Sequence, residues 1–241
     1  MTWSITRSAE RAHTETPWLR SSHSFSFGDH YNPANTHHGV LLVQNEDIVT
    51  HGEGFDMHLH ADTEIITWVL SGSLVHQDSE GNSGVVYPGL AQRMSAGTGI
   101  LHSERNDYAE TGEDDVHFVQ MWVMPDEYGR DPSYEQFDLA GELQPGRLVP
   151  VASGAPTVDA AIRIGNAGAT LSAARLSAGD RIVVPTSRFT HLFLTRGSIE
   201  VDGETLNTSD ALRAEDFGGS SLRAITDAEV LIWSMDKRLG E

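Results

Sequence analysis

FDMHLHADTEIITWVLSGSLVHQDSEGNSGVVYPGLAQRMSAGTGILHSERN, residues 55–106, sets two imidazoles, His58 and His60, two positions apart in an alternating segment. Side chains along a strand alternate faces, so both rings point to one side of a sheet. A second pair with the same spacing, His102 and Glu104, follows the glycine-rich turn AGTG. Two such pairs on two strands can bring three ring nitrogens and one carboxylate to a single point. Three neutral nitrogen donors and one anionic oxygen suit a divalent iron, manganese, nickel, cobalt or copper ion, and can leave a position open for chemistry. The chain holds 12 histidines, and a lone HxH is more often a surface or hydrogen-bonded pair than a ligand pair. The matching HxE behind a turn moves the reading to a metal site.

The segment between the pairs reads as short antiparallel strands. EIITWVLSGSLVHQDSEGN gives a strand, a tight turn at Ser71-Gly72, a second strand and a turn from Ser79 to Gly84. Within it, His76 reads as a turn-fixing residue and not as a ligand. Downstream, DVHFVQMWVMP is a buried strand ended by Pro125, with Phe118, Gln120 and Trp122 on one face. A glutamine in such a strand needs hydrogen-bond partners. Upstream, the alternation in FSF directs Phe25 and Phe27 to one inner face.

The rest of the chain sets the organisation. From Asp126 the sequence turns rich in Pro, Gly and charge, which marks a connection between two domains, residues 1–140 and 141–241. RFTHLFLTRGSIEVDGETL then repeats the pattern of TEIITWVLSGSLVHQDSEG. Setting Gly197 against Gly72 aligns His58 with Val183, His60 with Pro185 and Glu64 with Phe189. The architecture is duplicated and the ligands are not. His191 is left as an isolated, structural histidine.

Composition excludes several classes. The 241 residues carry a formal net charge of −19 with only 16 Lys and Arg and no basic cluster, which argues against direct nucleic-acid binding. Cysteine is absent, so there is no disulfide framework, zinc–thiolate site or thiol nucleophile. No heptad pattern, no apolar run near ~18 residues and no signal-type leader appears, and a cytoplasmic protein without a membrane span is expected.

Gly52, five residues on His58-x-His60, then Glu64 and Gly72, with Gly99-x-x-His102 and Asn106 further on, resembles the cupin pattern. More specifically, HLH, EIITWVLSG, HQDSEGN and AGTGILHSE, with SHSFSFGDHYNP and HHGVLLVQNEDIV before them, resemble the pirin family. The likeness is strong over the first half and weak beyond it. Leu59 stands where the family usually has proline, and its side chain is expected to point away from the metal.

The resemblance implies an all-β bicupin, two tandem jelly-roll (double-stranded β-helix) barrels of which only the first binds metal. In that layout residues 1–23 add edge strands to the first barrel. It implies that His58, His60, His102 and Glu104 bind one divalent ion, iron(II) by preference. Glu64 would be a fifth ligand or would orient a ring N–H, and Glu104 or Glu64 would act as base. Gln120 would look into the pocket toward a substrate oxygen, with Phe55 and Met94 as further pocket residues. Some pirins look like quercetin 2,3-dioxygenases, which open the flavonol ring with O₂ and release carbon monoxide. Others act as regulators that bind a transcription factor or a metabolic enzyme. A pirin-like chain can be monomeric.

Overall fold

The computed structural model describes residues 2–107 and 114–241. Its described elements are strands, apart from one short 3-10 turn at Ser8–Glu10, and no helix is long and apolar enough to cross a membrane. Frequent glycines and period-2 alternation leave no segment with a sustained helical stripe, so sheets are the way this chain buries its apolar residues.

Four sheets form two similar pairs. In the first half a seven-stranded sheet runs in the order Ser133–Asp138, Leu90–Ser95, Glu64–Ser71, Val116–Val123, Leu41–Val49, Leu19–His23, Ala12–Glu15. It is covered by a four-stranded sheet in the order Gly54–His60, Ile100–Arg105, Leu74–Asp78, Ser83–Val86. The second half repeats this with Thr2–Thr6, Ala211–Phe217, Ser187–Arg196, Ala228–Met235, Ala169–Leu176, Arg147–Ser153, Ile162–Arg163, covered by Arg181–Val183, Ser221–Ala224, Ser198–Val201, Glu204–Asn207. Each pair is a jelly-roll barrel, and the duplication expected from Gly72 and Gly197 holds. Both glycines have positive φ, +73° and +89°, and an added Cβ would meet the neighbouring strand's backbone at 3.0 Å and 2.2 Å. Only glycine fits such a turn without displacing that strand.

One strand lies elsewhere than expected. Ala12–Glu15 and Leu19–His23 do extend the first large sheet, but Thr2–Thr6 pairs with Ala211–Phe217 in the second. It takes the place that Ser133–Asp138 occupies in the first sheet. Pairing there satisfies an edge that would otherwise be open.

The two large sheets pack face to face. Their shared core includes Ile66, Trp68 and Met121 from one sheet and Phe189, Phe193 and Trp233 from the other. The Trp233 indole N–H points at Met121 Sδ, 3.3 Å away. The second barrel is filled by its own apolar cluster, with Ile182, Val184, Leu192, Leu206 and Leu222 packed inside. Val183, aligned with His58 through the glycines, is 62% exposed and faces out. The inward neighbours of that strand are Ile182 and Val184, because a one-residue slip in register exchanges the faces of a strand.

Trp233→Ala is expected to cost about 3–5 kcal/mol by opening a cavity between the sheets. Urea unfolding measures it; a loss below about 1 kcal/mol would show that the two barrels do not share a core.

Candidate metal centre

The strands Gly54–His60 and Ile100–Arg105 pair antiparallel with His58 directly opposite His102. His60 lies two residues along on the same face, so three imidazoles converge. Their ring centroids are 4.5–5.0 Å apart, and one nitrogen from each lies within 4.8 Å of the others. His58 Nδ1 sits 2.7 Å from the Asp56 carbonyl, a bond that makes it the protonated nitrogen and leaves Nε2 as a lone-pair donor. His60 Nε2 and both ring nitrogens of His102 are buried and have no partner among the described residues. Three such atoms in one cluster suit a divalent cation, a single partner that would satisfy them together.

Electrostatics favour the same reading. Burial, then repulsion from His102 and His58, lowers the His60 pKa to about 4. Burial, then His58 and His76, lowers that of His102 to about 3. Both rings are therefore neutral near pH 7, the form that ligates.

Glu104 is 2% exposed and is aimed by two donors. Thr67 Oγ1 donates to Oε1 at 3.2 Å and Gln120 Nε2 to Oε2 at 2.5 Å. Trp122 Nε1 in turn donates to Gln120 Oε1 at 3.0 Å. The Gln120 amide is thus taken up by Glu104 and Trp122, where the sequence suggested a substrate oxygen. A β-bulge between His102 and Glu104 breaks the strict alternation at this point. Glu104 falls in a second cluster, with His102 and His76, whose ligand atoms also lie within 4.8 Å of one another.

His76 was legible as part of a turn but not as a neighbour of the site. It faces Glu104 across Leu74–Asp78 and Ile100–Arg105, stacks on Tyr134, and spans Asp78 Oδ2 at 3.2 Å and Gln92 Nε2 at 3.4 Å. Both of its nitrogens have partners, unlike those of His102. Asp78 fixes the turn, accepting from the backbone N–H groups of Glu80 and Asn82.

Glu64 is not brought to the imidazoles. It shares a strand with Thr67, and an odd separation puts the two on opposite faces. Thr67 looks into the barrel; Glu64 looks toward the other half, accepting from Ser95 Oγ at 2.7 Å, with Arg93 Nε 4.0 Å away. Met94 is also displaced from its expected role, being fully buried against Ile65, Ala96 and Ile100. Leu59 is 66% exposed, as its position between two inward histidines requires.

A cavity of about 590 Å³ opens beside His58, His60 and Glu104. Trp18, Phe27, Phe55 and Trp122 give it aromatic walls, and Gln120 also lines it. A polar strip of Ser21, His23, Asn45 and Asp47 completes it. No local pattern marks this strip, which is assembled by the pairing of Leu19–His23 with Leu41–Val49. The FSF alternation also resolves differently: Phe27 lines the cavity, while Phe25 is buried between the halves, its ring 5.6 Å from His191. These residues lie outside any strand, so period 2 does not apply to them.

Fold and site define a bicupin with an imidazole cluster in one barrel and an apolar core in the other. Residues 6–123 match the family Pirin, and residues 151–235 match the family described as "Quercetinase C-terminal cupin domain". The chain belongs to the pirin family. It is 54% identical over 98% of its length to a Mycobacterium tuberculosis protein named "Putative quercetin 2,3-dioxygenase", covering 96% of that protein. It is 35% identical to the quercetin 2,3-dioxygenase of Escherichia coli K12, over 96% of this chain and 97% of the relative. The crystal structure of the bacterial pirin YhhW from Escherichia coli in complex with nickel(II) superposes with a TM-score of 0.87 at 32% identity, over 98% of this chain and 100% of that one.

Two outcomes are expected. In metal-free protein His60 and His102 stay neutral at about pH 5.5, as read from their imidazole NMR signals. The unfolded chain takes up these protons near 6.5 and the folded chain only near 4 and 3, so metal-free protein loses stability as the pH falls from 6.5 toward 4. Uptake of both protons above pH 6 would contradict the burial that drives the shifts. Separately, Glu64→Gln should leave metal stoichiometry intact and affinity within about twofold, since the residue faces away; loss of the ion in that variant would return Glu64 to the site.

Proposed function

We propose that this protein is a metal-dependent dioxygenase that opens flavonols of the quercetin type with O₂. The carrying observation is the convergence of three imidazoles, two of them with buried, partnerless ring nitrogens, beside an aromatic-walled cavity. The full-length likeness to quercetin 2,3-dioxygenase of Escherichia coli supports the substrate class.

His58, His60 and His102 hold the ion through ring nitrogens, and Glu104 supplies the anionic oxygen beside His102. Iron(II) is the proposed native metal, on the resemblance to pirins. The donor set also admits nickel, manganese, cobalt or copper, and nickel is the ion in the related pirin. Once bound, the ion supplies Lewis-acid and redox chemistry toward a phenolic oxygen and O₂. The chain's own part is positioning. Trp18, Phe27, Phe55 and Trp122 clamp flat rings and exclude water from the reacting face. Glu104, held by Thr67 and Gln120, is the carboxylate placed to accept the proton of the flavonol hydroxyl.

A second reading, a metal-dependent regulator, has one observation in its favour. On the outer face of the histidine strands Met57, Leu59 and Leu101 are 52%, 66% and 43% exposed, an apolar patch through which a protein partner could sense the centre.

Anaerobic loading with iron(II), followed by oxygen uptake and flavonol absorbance on adding quercetin, tests the enzyme. Stoichiometric consumption of both is expected, and His102→Ala should abolish metal binding and turnover together. Full activity in that variant would remove the site. Bound iron without turnover would favour the regulator, which a metal-dependent pull-down then examines.

A further inference from the structure

Asp47 is a buried carboxyl in the cavity wall that is assigned no part in the metal cluster. Its strand, Leu41–Val49, is fixed between Leu19–His23 and Val116–Val123, with Asp47 opposite Ser21 on one side and Phe118 on the other. It is 4% exposed yet lines the cavity, and its Oδ1 is buried with no hydrogen-bond partner among the described residues. Its polar neighbours in the wall are already committed. His23 Nδ1 is 2.9 Å from Asn45 Oδ1, and Thr14 Oγ1 is 2.8 Å from His23 Nε2. Arg11, the nearby cation, is engaged by Glu46 at 2.7 Å. A buried acceptor is ordinarily satisfied, so an unpartnered oxygen on a residue that lines an aromatic-walled cavity points to a ligand hydroxyl.

We infer that Asp47 selects hydroxylated aromatics in this cavity by hydrogen-bonding a substrate hydroxyl through its free Oδ1. The inference rests on the reading that the cavity takes a flat flavonol. The aromatic walls hold any planar ring system; Asp47 distinguishes those that carry a hydroxyl toward the Leu41–Val49 strand. The groups facing it allow either direction of the bond. Burial raises its pKa to about 7, Glu104 and Glu46 push the same way, and the Ser21 hydroxyl and Arg11 oppose them. Near neutral pH the carboxyl can therefore both accept and donate. Sites built to pair a ligand hydroxyl reject the analogue that lacks it far more strongly than apolar pockets reject an added group.

The test uses metal-free full-length protein, with quercetin and the unsubstituted flavone as probes and quenching of Trp18 and Trp122 fluorescence as the readout. Asp47→Leu should weaken quercetin at least about tenfold and leave flavone within about twofold, while Asp47→Asn, which keeps a hydrogen-bonding group, should hold quercetin within about threefold. A wild type that binds both probes equally, or equal quercetin affinity in all three proteins, overturns the inference. If Asp47→Leu fails to fold, infrared difference spectra decide with the isosteric variant. Quercetin must then perturb a carboxyl band in wild type that is absent from Asp47→Asn, and no such band is the negative result. Quercetin turnover by loaded enzyme that persists unchanged in Asp47→Leu removes only the role of Asp47. A wild type that neither binds nor consumes quercetin removes the flavonol reading and this inference with it.

Discussion

The antiparallel pairing of Gly54–His60 with Ile100–Arg105 is the constraint on which the rest of the centre depends. It sets His58 across from His102, and the period of two then adds His60 without further instruction. The close approach needs a residue without a side chain at position 54. A Cβ on Gly54 would stand 2.4 Å from the Glu104 carbonyl oxygen and 2.6 Å from Arg105 Cα. Both are backbone atoms, so neither can swing aside. The same pairing carries the bulge that turns Glu104 toward Thr67 and Gln120.

How much of this was legible in the sequence follows from the range of each signal. Local periodicity is short-range, so the two x-spaced pairs, the glycine turns and the all-β class could be read directly. The converging histidines needed one further assumption, that their strands are neighbours, and family resemblance supplied it. What depends on register between distant strands could not be read. Glu64 resembles a ligand by spacing, but its odd separation from Thr67 assigns it to the opposite face once Thr67 is known to look inward. His76 is close to His102 only because Leu74–Asp78 is the other neighbour of Ile100–Arg105. The alignment of Val183 with His58 failed by a single residue, enough to exchange inside for outside.

The two barrels show one scaffold under two interior regimes. In the second, Ile182, Val184 and Leu222 fill the space with apolar side chains, and no ligand cluster is found there among the described residues. In the first, the equivalent region holds polar groups whose hydrogen-bonding capacity is unspent. Such groups lower the stability of a barrel that stands alone. The shared core between the large sheets, around Trp68, Phe193 and Trp233, offsets that cost by giving the functional barrel a partner with a complete interior.

The placement of Thr2–Thr6 has a bearing on how the two halves are held together. Thr2–Thr6 precedes every other strand among the described residues, yet its partner, Ala211–Phe217, is followed only by Ser221–Ala224 and Ala228–Met235. Thr2–Thr6 cannot pair until Ala211–Phe217 is available, and their docking closes one of the longest loops among the described strands. The pairing is thus a clasp between the two halves: opening this edge of the second sheet frees Thr2–Thr6, and freeing Thr2–Thr6 exposes that edge.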